Sequence, residues 1–474
     1  MAQLLRVSNR KPKLEVLEAR EVPAVFGQTW PNFQITVSFA PDGTLTPSGP
    51  SQLHQSLSAT MAQSVWQQSI LDAFQAWADV SPVSFQLVSD TGLPAGTPGA
   101  PQGDSRFGDI RIYGVSLGPE VLSVAVPYDS FLSGTLAGDI FVNTDVAFTP
   151  DLLLTAMLQE SGHALGLSNS YDPSSVMWEW EHGAVALAPS DIFAIQTLYA
   201  NPTGVGFEQT ADTLMAAGSA TYFLQAPTSS TTTLTYSVVL PEGGSMPNVV
   251  VRDAANQVVP SELLVTNEGQ LTLRIENVAP GSVYLVELTS TDSSNPTPYL
   301  FLRQFSQQPA AVEKFLAGVI EPQNGLHSVD LELDMPMYFQ FTLKAMNAPV
   351  TLTIRDLSGA VVTSMTVAAG QTWTAPTLFL REGEYAFEFS ATGTTEFRLW
   401  GLDLSDPIGV RKPGNPAAPS APGSPGPTPP SQSPPLSPGD PPPPPSPPPP
   451  TPTPIPGSWW RFRKEGKSWI LPLW

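Results

Sequence analysis

Cysteine is absent from the chain. Its absence excludes disulfides, thiolate-held zinc or iron–sulfur centres, and thiol nucleophiles. Basic side chains are scarce, with 21 Lys and Arg against 42 Asp and Glu and a formal net charge of −21. They are also displaced to the ends: residues 1–20 hold five and residues 411–474 hold six, which leaves ten against 38 acidic residues over 21–410. So acidic a body repels phosphate backbones and argues against nucleic-acid binding. No apolar run reaches the roughly 18 residues of a spanning segment, so no transmembrane helix is expected. Histidine occurs four times, so a site built from several imidazoles has few candidates.

Proline is in excess, at 53 of 474 residues against a usual share of about 5%. Nine prolines lie within 441–450 alone, and 409–457 reads as a stiff polyproline spacer without a core. Beyond it, 458–474 holds four of the eleven tryptophans beside Arg461, Arg463, Lys464 and Lys467. Aromatic and basic residues at the end of a stiff arm suit contact with lipid headgroups or an acidic polymer of a cell envelope. At the other end, 1–24 carries Arg6, Arg10, Lys11 and Lys13 but lacks the apolar core of a standard signal peptide. Its stretch Lys13-Leu14-Glu15-Val16-Leu17-Glu18-Ala19-Arg20-Glu21-Val22-Pro23-Ala24 resembles a short leader on large surface and exported proteins of one bacterial lineage. That resemblance implies an extracellular or cell-surface location.

Between these ends two regimes follow one another. Phe33, Ile35, Val37 and Phe39 alternate with polar residues and predict a strand, while Met61, Val65, Trp66, Ile70, Leu71, Phe74 and Trp77 recur at helical steps over 59–79. Thr149-Pro150-Asp151 predicts a helix start, and Gly166 its stop. Another helix is expected near 189–200. From 206 on, short alternating runs are separated by Gly, Pro and Asn. The run Val251-Arg252-Asp253 before a turn is repeated as Ile354-Arg355-Asp356, a spacing of about 100 residues that suits tandem β-sandwiches at 206–308 and 309–408. The repeated Arg-Asp reads as turn chemistry.

The stretch that carries chemistry is Leu158-Gln159-Glu160-Ser161-Gly162-His163-Ala164-Leu165-Gly166-Leu167-Ser168-Asn169-Ser170. Gln159 and His163 are one helical turn apart and share a face, with Glu160 beside them. Gly166 can end the helix and return Asn169 towards that face. Ser174-Ser175-Val176-Met177 follows closely. This spacing matches the H-E-x-x-H-x-x-G-x-x-H pattern and Met-turn of metzincin zinc sites. The chain resembles matrixin-type metallopeptidases (family M10) over 25–205. The likeness extends to Ala73-Phe74-Gln75-Ala76-Trp77, to Gly108-Asp109-Ile110-Arg111-Ile112, to Gly138-Asp139-Ile140 and to Asp191-Ile192-Phe193-Ala194-Ile195-Gln196. It implies an α+β metzincin domain, a twisted mixed sheet with long helices, followed by the two all-β sandwiches and a disordered proline-rich tail.

The resemblance also implies a Zn2+ site at positions 159, 163 and 169, with Glu160 as general base and Met177 in the Met-turn. Here two of the three ligand positions carry amides, Gln159 and Asn169, and His163 alone keeps the imidazole. Amide oxygens are poor zinc partners beside imidazole. His182 and Asp172 are the candidate substitute ligands, and Ca2+ at Asp139 or Asp145 is a further candidate. Three readings follow. One is a pseudoprotease or surface-binding protein that holds a protein or peptide segment in its cleft. Another is an active zinc-dependent endopeptidase cutting extended substrates with Glu160 as base. The last is an exported structural protein whose cleft holds nothing.

Overall fold

The alternation around Ile35 and Val37 forms strand β1 (Gln34–Phe39), with both side chains buried. A computed structural model describes residues 28–410 apart from 171, 201, 204–205, 308, 310–311, 322–326 and 405, together with 460–464 and 467–469. The expected leader at 1–24 and the proline-rich stretch from 411 lie outside the described residues. The helical periodicity over 59–79 forms helix α2 (Gln63–Ala78), which buries Trp66, Ile70, Phe74 and Trp77, and a short helix α1 (Leu53–Ser58) precedes it. Strands β2 (Ser84–Leu87), β3 (Ile110–Val115), β4 (Val121–Ala125) and β5 (Ile140–Asn143) come next. Helix α3 (Pro150–Ala164) begins where Thr149 caps it, its hydroxyl accepting from the Leu152 amide at 3.2 Å with Pro150 in the first turn. Helix α4 (Pro189–Ala200) follows.

These strands form one sheet in the order β4-β5-β3-β1-β2. β1, β2, β3 and β5 run parallel and β4 is antiparallel to β5. A sixth strand, β6 (Asp406–Gly409), arrives from far along the chain and pairs antiparallel with the outer side of β4. One face of the sheet packs on α2 and α3, where Ile35, Val37, Ile112 and Val142 meet Trp77, Ala156 and Leu158. Tyr113, Val124 and Phe141 on the other face meet Met335, Tyr338 and Leu404.

Those last residues belong to the second of two units that are strand throughout. In the first, a sheet containing Thr232–Val239, Gln270–Val278 and Thr297–Ser306 faces one containing Asn248–Asp253 and Val283–Thr289, around Leu234, Val251, Val286 and Phe301. In the second, sheets containing Met337–Ala345 and Val350–Asp356 enclose Phe341, Leu352 and Phe387. The repeated aspartates do turn work: Asp253 accepts from the Ala255 and Gln257 amides, and Asp356 from those of Ser358 and Ala360. The backbone of Trp460–Lys464 adds to the outer edge of His327–Leu333, with Leu333 opposite Trp460.

The fold class expected from the sequence is corrected by these elements. The protein is mostly β, 42% strand and 14% helix, in six sheets with four α-helices among the described residues, and does not fit an α+β metzincin with long helices. The helical periodicity was conspicuous because it is amphipathic and local. Yet α1 to α4 span 6, 16, 15 and 12 residues, while weaker period-two signals fill most of the remaining chain. No helix among the described residues is long and apolar enough to cross a membrane.

A charged network crosses the sheet. Arg111 on β3 makes a two-pronged ion pair with Asp90, at 2.8 and 2.9 Å, with both side chains at most 1% exposed. Arg111 is thus engaged by Asp90. Asp139 beside it accepts from the Arg111 amide at 2.9 Å and from the Tyr113 hydroxyl at 3.0 Å. Burial, opposed by Arg111, pushes the Asp139 carboxyl from the ordinary 3.8 up to about 7. Between those values the folded chain holds a proton that the unfolded chain has released, so this group's contribution is largest in acid and is lost as pH rises towards 7. Asp139→Asn should therefore flatten the fall in stability between about pH 4 and 7. Urea midpoints measured across that range test this, and an unchanged slope would assign the fall to other groups.

Candidate functional site

The site is built on the carboxy-terminal end of α3. Leu165 caps the helix, Gly166 takes a left-handed φ of 98°, and two bonds close a Schellman turn: the Gly166 amide to the His163 carbonyl at 2.8 Å, and the Leu167 amide to the Gly162 carbonyl at 3.0 Å. Glycine is required there because a side chain disfavours that φ. The turn reverses the chain and brings Asn169 back to Gln159.

Three of the expected residues meet directly. Gln159 Nε2 lies 3.5 Å from His163 Nε2 and 3.2 Å from Asn169 Oδ1. His163 Nδ1 lies 2.8 Å from the Leu167 carbonyl oxygen. A carbonyl only accepts, so Nδ1 carries the proton and Nε2 offers a lone pair. The Gln159 amide therefore donates one hydrogen to the imidazole and the other to the Asn169 amide. Gln159 Oε1 is buried and has no hydrogen-bond partner. Glu160, fully buried, accepts from the Ser123 hydroxyl of β4 at 2.9 Å.

Met177 lies under this turn of helix. A Cβ on Gly162 would stand 2.3 Å from the Met177 sulfur, so the absence of a side chain at 162 is what admits it. The segment that carries Met177 is held by Asp191 of α4, which is 2% exposed. Asp191 accepts from the Ser175 hydroxyl, from the Val176 amide at 3.0 Å and from the Ala188 amide at 2.7 Å.

The other expected residues are engaged elsewhere. Asp172 accepts from the Ser174 amide and hydroxyl and from the Ser190 hydroxyl, and those of Ser174 hold its carboxyl below the ordinary range. His182 Nδ1 sits 3.0 Å from the Trp180 carbonyl, and its ring meets that of Trp178 edge-on. Asp139 belongs to the Arg111 network, and Asp145 accepts from the Ser116 hydroxyl and the Gly118 amide. Among the described residues no three His, Asp or Glu side chains converge to hold a metal ion.

The cluster itself does not fit zinc. It offers one imidazole and two neutral amides, and the imidazole lone pair faces an amide hydrogen. Two partners escaped sequence reasoning. Ser123 shows only as a polar residue inside the apolar run Val121-Leu122-Ser123-Val124-Ala125. Asp191 shows only as the start of the matrixin-like stretch Asp191–Gln196, with nothing to tie it to the Met177 segment. No family model and no curated protein matches this chain.

Asp191→Ala should release the Met177 segment, because it removes a buried charged acceptor from three donors at once. The expected loss is about 3 kcal/mol, read as a lower urea midpoint by tryptophan fluorescence. A change within a few tenths would show that the segment is held otherwise.

Proposed function

We propose that this protein is an exported or surface-bound pseudoprotease: the cluster Gln159, Glu160, His163 and Asn169, which resembles a matrixin-type zinc motif, holds no metal, and the cleft beside it is kept for binding a protein or peptide segment. The observation that carries this reading is the Gln159 amide, which donates towards the very imidazole nitrogen a metal would need and to Asn169 as well. A catalytic zinc site needs three good protein ligands and an open position for water. Here the Gln159 amide nitrogen bridges the other two ligand positions, and only Gln159 Oε1 is left without a hydrogen-bond partner. Glu160, in the position of a general base, is engaged by Ser123 in a buried site, which suits a structural role.

The leader-like sequence at 1–24, the acidic body and the proline-rich spacer support export. The tryptophan-rich basic end at 458–474 supports a second contact with an envelope surface. The partner read for the cleft is an extended polypeptide, since the outer edge of β4 is itself paired by an extended segment, β6.

Metal content tests the reading. After zinc loading and dialysis, the wild-type chain should retain no zinc and should not cleave unstructured protein substrates. Gln159→His combined with Asn169→His should retain about one zinc per chain, because three imidazoles then replace the amide bridge. Stoichiometric zinc in the wild type, with peptide cleavage lost in Glu160→Ala, would instead establish an active endopeptidase. A double variant that folds but holds no zinc would refute the descent of the cluster from a metal site.

A further inference from the structure

β6 occupies a slot rather than a simple sheet edge. On one side it pairs with β4: Asp406 opposite Ala125, Pro407 opposite Val124, Ile408 opposite Ser123 and Gly409 opposite Val121, continued by the Val410 amide donating to the Glu120 carbonyl at 2.8 Å. On its other side the Gly409 amide donates to the Glu179 carbonyl at 3.0 Å, and the Gly409 carbonyl accepts from the Glu181 amide at 2.9 Å. Backbone thus grips it from two directions.

The side chains read the strand as well. Residues directly opposite in an antiparallel pair share a face, so Ile408 lies on the face of Ser123, whose hydroxyl binds Glu160. Ile408 is 1% exposed and packs in the same core as Leu153, Ala156 and Met157 of α3. At Gly409 a Cβ would stand 2.6 Å from the Trp180 ring and 2.4 Å from Met335 Cε. The slot therefore requires an apolar residue followed by glycine.

The strand has a separate origin. It follows the last strand of the second all-strand unit, Thr395–Asp403, and precedes the proline-rich stretch. The rest of its sheet is complete within residues 34–143. We infer that the slot between β4 and Glu179–Glu181 is a peptide-binding site for an extended segment with an apolar residue followed by glycine, and that residues 407–410 are its resident occupant. The inference deepens the reading of the cleft as a peptide site by naming the chemistry of its partner. It makes no use of the metal-ligand positions, so it stands or falls separately from the zinc test.

The full-length Ile408→Asp variant displaces the resident, and the probe is a fluorescein-labelled nonapeptide with the sequence of residues 404–412. Amide hydrogen exchange reports which strands stay paired. In the variant, the β4 amides facing β6 should exchange more than about tenfold faster while those between β3 and β5 keep their protection. The labelled peptide should then bind saturably, and bind wild type at least about tenfold more weakly because the tethered segment competes at a high effective concentration. The same peptide carrying Gly409→Val should not bind. Three results would overturn the inference: unchanged β4 exchange in the variant, loss of protection throughout β3 and β5, or an opened edge that takes up no peptide.

Discussion

Helix α3 is buried from Leu153 to Ala164 with only Leu154 partly exposed, and that burial governs the rest of the site. A polar side chain on such a helix cannot turn to water and must find its partner inside the protein. Gln159 finds His163 and Asn169, His163 finds the Leu167 carbonyl, and Glu160 finds Ser123. Each partner comes from a different device: the helical turn, the Schellman reversal at Gly166, and a strand distant in sequence. The cluster is a polar core tied together through the Gln159 amide nitrogen, with Gln159 Oε1 its one ligand-position atom left without a hydrogen-bond partner.

The same economy of surface appears on the sheet. Helices cover one face and the second all-strand unit covers the other, where Phe141 and Tyr338 stand 4.5 Å apart and Tyr338 shares a hydrogen bond with Ser48. Exposed edges invite pairing with foreign strands. Two edges, those of β4 and of His327–Leu333, are covered by segments from the carboxy-terminal part of the chain.

What was legible in the sequence was local. Thr149 and Gly166 mark the ends of α3, and the four-residue step from Gln159 to His163 places both on one face, because caps and helical spacing act within a turn or two. The return of Asn169 was legible for the same reason. Ser123 was not, since it stands 37 residues from Glu160 and only strand pairing brings it there. Nor was β6, whose four residues carry no periodicity and sit beside a proline-rich stretch. The fold class misled because it was carried by a resemblance over 25–205, while the protein is mostly strand.

The position of β6 has a mechanical side. Its bonds to β4 and to Glu179–Glu181 lie in sequence along the strand, and the chain leaves it at Val410. A pull on the carboxy-terminal segment reaches Val410 and Gly409 before it reaches either all-strand unit. Its other end is fastened separately, by the Leu404 amide to the Tyr338 carbonyl at 2.8 Å. Tension would lift the glycine from Trp180 first and draw Ile408 out of the core next, while the two all-strand units stayed assembled.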